Sequence, residues 1–183
     1  ALSALLFLYR HVLGVQLPWM EDVVRAKRSK RLPVVLAQAE VQRLLSLMDG
    51  RPWLLASLLY GTGMRLMECL RLRIKDVDMA RREILVRDGK GGKGRRTVLP
   101  ESLREALAHE LARSKALHEQ DLAAGFGRVW LPYAVSRKYP NASAELAWQY
   151  VFPALRRSID PRDGVERRHH IDDGTLARAL KQA

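Results

Sequence analysis

Glu83-Ile84-Leu85-Val86-Arg87, then Asp88-Gly89-Lys90-Gly91-Gly92-Lys93-Gly94, then Arg95-Arg96-Thr97-Val98-Leu99 is the stretch that decides the fold. Apolar and polar side chains alternate on either side of a glycine-rich turn, the pattern of two antiparallel strands joined as a β-hairpin. The segments around it keep the helical period instead. Upstream, Val41, Leu44, Leu45 and Met48 predict a helix over about 37–48. Glu40 stands where the back half of a capping box belongs, but Ala37 has no side-chain oxygen, so the box is incomplete. Pro52 suits the first turn of the next helix, which Leu54, Leu55, Leu58 and Leu59 bury. Gly61-Thr62-Gly63 breaks that helix, and a short one restarts at Met64 and runs to about Arg73, with Arg65 in its first turn. Downstream, Leu103, Leu107, Leu111 and Leu117 mark a long helix over about 101–123. An aromatic-rich loop, 126–141, leads to a helix near 143–150 and then to an irregular basic stretch ending at His170. Asp172 or Asp173 caps a last helix holding Leu176 and Leu180. The fold class is α+β, mostly α, with a small antiparallel sheet packed against helices.

The first segment, 1–24, reads as one amphipathic helix with a break near Leu17-Pro18-Trp19, since proline removes a donor and restricts its predecessor. The chain opens within that periodic pattern at Ala1, so it is expected to be a piece of something longer. Arg25, Lys27, Arg28, Lys30 and Arg31 follow without apolar periodicity and are closed by Leu32-Pro33, which reads as a linker. With 183 residues and 48% apolar content the chain can build a real core. The apolar run Ala4–Tyr9 stops at Arg10, far short of a membrane span. Cys69 stands alone, which excludes an intramolecular disulfide and points to a reducing, cytoplasmic compartment. Thirty-two Lys and Arg against twenty Asp and Glu give a net charge of +12, an excess that favours polyanions, nucleic acid first among them. The basic residues cluster in the linker, around the hairpin tip (Arg87, Lys90, Lys93, Arg95, Arg96), and in Arg156, Arg157, Arg162, Arg167 and Arg168.

Several chemistries are missing. No Cys-x-x-Cys or His-x-x-x-His metal spacing occurs. No phosphate loop occurs either, because Lys93 is followed by Gly94 and not by a hydroxyl residue. Two cationic signals remain. Arg65 opens a helix, where the macrodipole disfavours it, and Glu68 lies three residues on along the same face. Either the two form an ordinary ion pair, or the arginine is placed for an anion. Lys90 tips the hairpin, where it is either a solvated turn residue or an ammonium delivered to a phosphate or a leaving oxygen.

Together these residues resemble a family. Thr62-Gly63-Met64-Arg65-Leu66-x-Glu68, then Gly89-Lys90-Gly91-x-Lys93-x-Arg95, then Val98-Leu99-Pro100 look like the first two catalytic motifs of the tyrosine recombinases. Leu131-Pro132-Tyr133-Ala134, Arg137-Lys138-Tyr139-Pro140-Asn141-Ala142, Trp148-Gln149-Tyr150-Val151-Phe152-Pro153, Asp160-Pro161-Arg162 and Arg167-Arg168-His169-His170 look like the insertion of the integron integrases.

The resemblance implies site-specific DNA recombination, with gene-cassette integration and excision, on folded single-stranded and double-stranded sites. It implies that 1–24 is the last helix of a core-binding domain, 25–33 an interdomain linker over DNA, and 34–183 the first part of a catalytic domain with the insertion at about 126–170. Arg65 would bind the scissile phosphate, Lys90 would act as general acid toward the leaving 5′-oxygen, and Glu68 would orient Arg65. Arg25, Lys27, Arg28, Lys30, Arg31, Lys93 and Arg95 would contact DNA. Trp148 and Pro161 would pack on one extrahelical base, and His169 and His170 would contact another. The implied partners are DNA hairpins and duplex and further integrase protomers, with no membrane and no metal or nucleotide cofactor. The family's later His-x-x-Arg motif and nucleophilic tyrosine have no counterpart here, since the last tyrosine is Tyr150; the chain is therefore expected to bind DNA without cleaving it. The other class of reading is a non-catalytic nucleic-acid-binding module, or a pseudogene product, on the same scaffold. A protein-interaction domain would instead bind with little salt dependence.

Overall fold

The computed structural model describes residues 2–16, 35–87 and 94–183. They fall into two compact units, Ala1–Val35 and Leu36–Ala183. In the first, α1 (Leu2–Phe7) continues into a π-helical turn, Leu8–Val12. Within residues 2–16 the helical run stops at Val12, and Gly14 takes a left-handed φ of 64°, a conformation open to glycine at little cost. The rest of the expected span, 17–24, with the break expected near Leu17-Pro18-Trp19, lies outside the described residues.

The second unit is built on α3 (Gly50–Thr62), preceded by α2 (Gln38–Ser46). At the start of α2 the Glu40 carboxylate accepts the Ala37 N–H at 2.7 Å, the half of the capping box that the sequence could supply. Leu54, Leu55 and Leu58 of α3 are buried. Gly63, at φ 65°, ends α3 by donating its N–H to the Leu59 carbonyl. Two residues earlier, a Cβ on Gly61 would stand 2.8 Å from Pro100 Cγ, so glycine is what lets the helix end approach the chain leaving the sheet. Next comes α4, Leu66–Leu70, which is shorter than the expected 64–73. A 3₁₀ turn, Ile74–Asp76, takes the chain from it into the sheet.

The expected hairpin is present as β2 (Glu83–Val86) and β3 (Arg95–Val98), paired antiparallel with Ile84 opposite Thr97 and Val86 opposite Arg95. A third strand, β1 (Val77–Asp78), adds to β2 and had no two-residue signal in the sequence. Ile84 and Val86 are buried, and their partners on the other strand stay partly exposed, the alternation a one-faced sheet requires.

A 3₁₀ turn, Glu101–Leu103, leads into α5 (Arg104–Ala123). Its buried face begins with Leu103 and Leu107, as expected, but continues with Glu110, Ser114, His118 and Asp121. This departs from the leucine stripe read in the sequence. Buried polar groups persist when partnered, and most of these are: Glu110 pairs with Arg51, Ser114 Oγ donates to the Tyr150 carbonyl at 2.7 Å, and Asp121 binds two arginines.

The region after α5 differs most from expectation. A helix, α6 (Tyr133–Lys138), occupies part of the presumed loop, and the helix expected at 143–150 is two 3₁₀ turns, Ala142–Ala144 and Leu146–Trp148. The stretch read as irregular carries a small hairpin, β4 (Ser158–Ile159) with β5 (Glu166–Arg167). Between them an extended segment is stitched to two others. Ile74 N–H donates to the Gln149 carbonyl and Val151 N–H to that of Leu72, while Ile171 N–H donates to Phe152 and Ala154 N–H to His169. Val151 and Phe152 are fully buried here. A second small core forms from Val129, Leu131, Ala142 and Tyr150, with Val135 and Trp148 against it. The last helix, α7 (Gly174–Gln182), buries Leu176, whereas Leu180 stays 38% exposed. Among the described residues, no helix is long and apolar enough to cross a membrane.

Candidate phosphate corner and aromatic platform

Arg65 is the N-cap of α4 in extended backbone, one position before the first turn where the sequence placed it. There its N–H donates to Glu68 Oε2 at 2.9 Å and its Nη1 to Oε1 at 2.7 Å. The same carboxylate receives both Nη groups of Arg95 at 3.2 and 2.8 Å, and Arg95 Nη2 also donates to the Gly63 carbonyl. Thr97 Oγ1 donates to the Thr62 carbonyl at 2.9 Å. The first strand residues after 88–93 are thus bolted to the helix junction that presents Arg65. Four donors on one carboxylate stabilise its charged form: hydrogen bonding from Arg95, against the cost of burial and with help from Arg65, pulls Glu68 down to about 2. The Arg65 side chain nevertheless remains 59% exposed, with guanidinium donors left for an anion. Arg95, expected as a DNA contact, has much of its fork committed inside the protein. On the other stem, Arg87 Nε donates to the buried Asp76 carboxylate at 2.6 Å. The predicted residues Lys90 and Lys93, and Arg25, Lys27, Arg28, Lys30 and Arg31 of the linker, lie outside the described residues.

A second cluster gathers around Tyr150. The Arg73 guanidinium lies 3.7 Å from the centre of its ring and donates to the carbonyls of Trp148 and Trp130 at 2.8 and 3.1 Å. His169 and His170 stand beside the ring and each other, with centroids 4.1 to 5.4 Å apart. The Lys75 ammonium sits over the Trp148 ring. Burial, then the charge of Arg87, pushes Lys75 down to about 8. Burial followed by the charges of His170 and Arg162 lowers His169 to about 4, and burial lowers His170 as well. Both imidazoles are therefore neutral near pH 7. His170 Nδ1 lies 2.7 Å from the Ile171 carbonyl; a carbonyl only accepts, so Nδ1 carries the hydrogen and Nε2 is an acceptor. Pro161, Ile159, Arg162 and His169 line an open hollow of about 390 Å³. The structure thus brings His169 to Pro161 at one hollow and to His170 in one cluster of tilted rings, and places Trp148 under Lys75. Arg73 and Lys75 were not singled out in the sequence, where nothing local distinguishes them from other surface cations.

The third basic cluster is mostly neutralised. Arg157 and Arg168 both bind Asp121, and Arg162 and Arg167 both bind Asp160. Hydrogen bonding from Arg162 holds Asp160 down at about 2. Burial opposes ionisation of Asp121, but Arg168 and Arg157 outweigh it and hold that carboxyl below its ordinary range. The local charge there builds the framework of residues 154–168 more than it offers free cations. Cys69 is buried, which raises its thiol to about 12 and leaves it inert. Among the described residues no group of three His, Cys, Asp or Glu could hold a metal ion.

The family model described as "Phage integrase family" matches residues 34–183. An "Integrase/recombinase" from Escherichia coli is 49% identical over 183 residues, covering 100% of this chain and 54% of that protein, and one from Pseudomonas aeruginosa matches equally. A "Tyrosine recombinase XerA" from Pyrococcus horikoshii is 39% identical over 94 residues, 51% of this chain and 32% of its own length. A crystal structure of XerA recombinase aligns with a TM-score of 0.48 at 25% identity, over 98% of this chain and 50% of the other. The chain spans about half the length of the full-coverage relatives it matches.

Proposed function

The chain belongs to the phage integrase family, and on that premise we propose that it serves site-specific DNA recombination as part of a tyrosine recombinase of the integron-integrase kind. Arg65 binds the scissile phosphate and stabilises the charge that builds on its oxygens. A tyrosine oxygen bonds to phosphorus as the bond to the 5′-oxygen breaks, and Lys90 supplies the proton that the leaving oxygen takes up. Neither metal nor nucleotide takes part. Glu68 is a positioning residue, and so is Arg95 through it. Residues 25–33, with Lys93, contact the DNA backbone between a core-binding segment that includes α1 and a catalytic domain from 34 onward. Trp148 with Pro161 takes one extrahelical base of a folded cassette site, and His169 with His170 takes another as neutral rings, His170 Nε2 accepting from a base N–H. Partner protomers complete the assembly, and the chain by itself binds DNA without cleaving it.

The observation that carries this reading is the single Glu68 carboxylate, which fixes the exposed Arg65 and the strand emerging from 88–93 to one point. That arrangement supports the reading in which both elements serve one phosphodiester. The test is the affinity of the 183-residue chain for a folded hairpin with extrahelical bases against a fully paired duplex of the same stem. Preference for the hairpin is expected; equal affinity removes the role given to 126–170. Cleavage of a nicked substrate by the chain alone would contradict the missing nucleophile.

A further inference from the structure

Trp148 offers an aromatic face, yet that face is covered. The Lys75 ammonium lies over the indole ring, so a flat ligand can stack on that side only after Lys75 has moved. The backbone beneath it is fixed: Ile74 N–H donates to the Gln149 carbonyl, Asp76 N–H to that of Arg73, and Arg73 Nη1 to the Trp148 carbonyl. Only the flexible lysine stem is free to swing. Its sequence neighbour Asp76 is spent on Arg87, and among the described residues no carboxylate forms a salt bridge with Lys75. Arg87 and Arg73 both act on it as like charges, while Asp76 and Glu145 pull the other way. An ammonium held by a ring, without a carboxylate and among other cations, is poised to exchange that ring for an anion, since a charge-to-charge hydrogen bond is stronger than a cation–π contact.

We propose that Lys75 is the positioning residue of the Trp148 platform: it covers the indole in the free chain and, when a nucleotide stacks there, swings to grip that nucleotide's phosphate. A single residue then couples base stacking to backbone binding. It also keeps the ring shielded until a ligand bearing both a π-face and an adjacent phosphate arrives, a combination that an unpaired nucleotide presents and a paired one does not. The inference rests on the reading of Trp148 as a base platform.

The experiment uses the 183-residue chain and two DNA probes, a hairpin with one unpaired base in its stem and the same stem fully paired. Affinity is measured over a salt series for the wild type, Lys75→Ala, Lys75→Arg and Trp148→Ala. Loss of one phosphate contact lowers the slope of log affinity against log salt by about 0.9. Lys75→Ala is expected to show that loss on the hairpin alone, with affinity several-fold weaker and the paired stem unchanged, and Lys75→Arg is expected to restore the slope. Without DNA, Lys75→Ala is expected to make indole fluorescence more accessible to acrylamide, an increase absent when Trp148 is also replaced. If the wild type prefers the hairpin and Trp148→Ala removes the preference, while Lys75→Ala leaves the slope unchanged, the Lys75 proposal is overturned and the platform stands. If the wild type shows no preference, the platform reading fails and the proposal falls with it.

Discussion

The Arg65 corner and the Tyr150 platform are assembled in opposite ways. At the corner, one carboxylate binds groups three residues away in sequence and one strand away in space, and the result is an exposed, charged site. At the platform, three extended segments and two 3₁₀ turns bring together side chains from 73 to 170, and the result is half-buried, aromatic and uncharged at the two histidines. A phosphate needs a few oriented donors, which a short helix and its cap can supply. A base needs a surface, which takes a core to hold it flat. The corner should therefore fail locally, and the platform cooperatively.

The sharpest way to break the contrast is Asp121→Ala. It leaves Arg157 and Arg168 without their shared partner, and losing one side of a buried ion pair costs about 3–5 kcal/mol. Chemical denaturation should show that loss, together with altered fluorescence from Trp130 and Trp148 and unchanged amide exchange at Arg65. Glu68→Gln is the counterpart at the corner. With the charge gone, about 1–3 kcal/mol is expected, and faster amide exchange should be confined to 63–68 and 95–97, with the His169–His170 environment unchanged by NMR.

Acid should separate the two regions with the smallest effects. His169 is held near 4 in the fold against an ordinary 6.5, so folding favours its neutral form. Its contribution is whole above pH 6.5 and is lost as pH falls through about 4. Glu68 is held near 2 against 4.5, so its contribution is whole above 4.5 and is lost only as pH falls toward 2. An NMR titration should therefore show the platform perturbed before the corner; the reverse order would contradict the assignment of burial to one and ion pairing to the other.

Much of the corner was legible in the sequence because its logic is local. Arg65 and Glu68 share a helix face by spacing, Gly63 marks the helix end, and the period-two stretches around the glycines give the hairpin. Even so, Arg95 was read as facing DNA, because its bond to Glu68 spans 27 residues. The platform was legible only through resemblance. Arg73 reaches the Trp148 carbonyl across 75 residues, and no periodicity encodes such a meeting. The cluster from Arg156 to Arg168 looked like free positive charge because Asp121, which neutralises two of its members, lies far back in the chain on α5.

Hydrophobic period, glycine placement and short charge spacing were enough to establish a mostly helical chain with one small sheet, and to place an arginine at the start of a helix beside a carboxylate. Those features depend on contacts within about one helical turn or one hairpin, where the covalent chain itself limits the geometry. Which arginines are spent on carboxylates, which faces of α5 are polar and buried, and where Lys75 rests were decided by the tertiary structure. They depend on burial and on partners far along the chain, and only the packed core brings those within bonding distance.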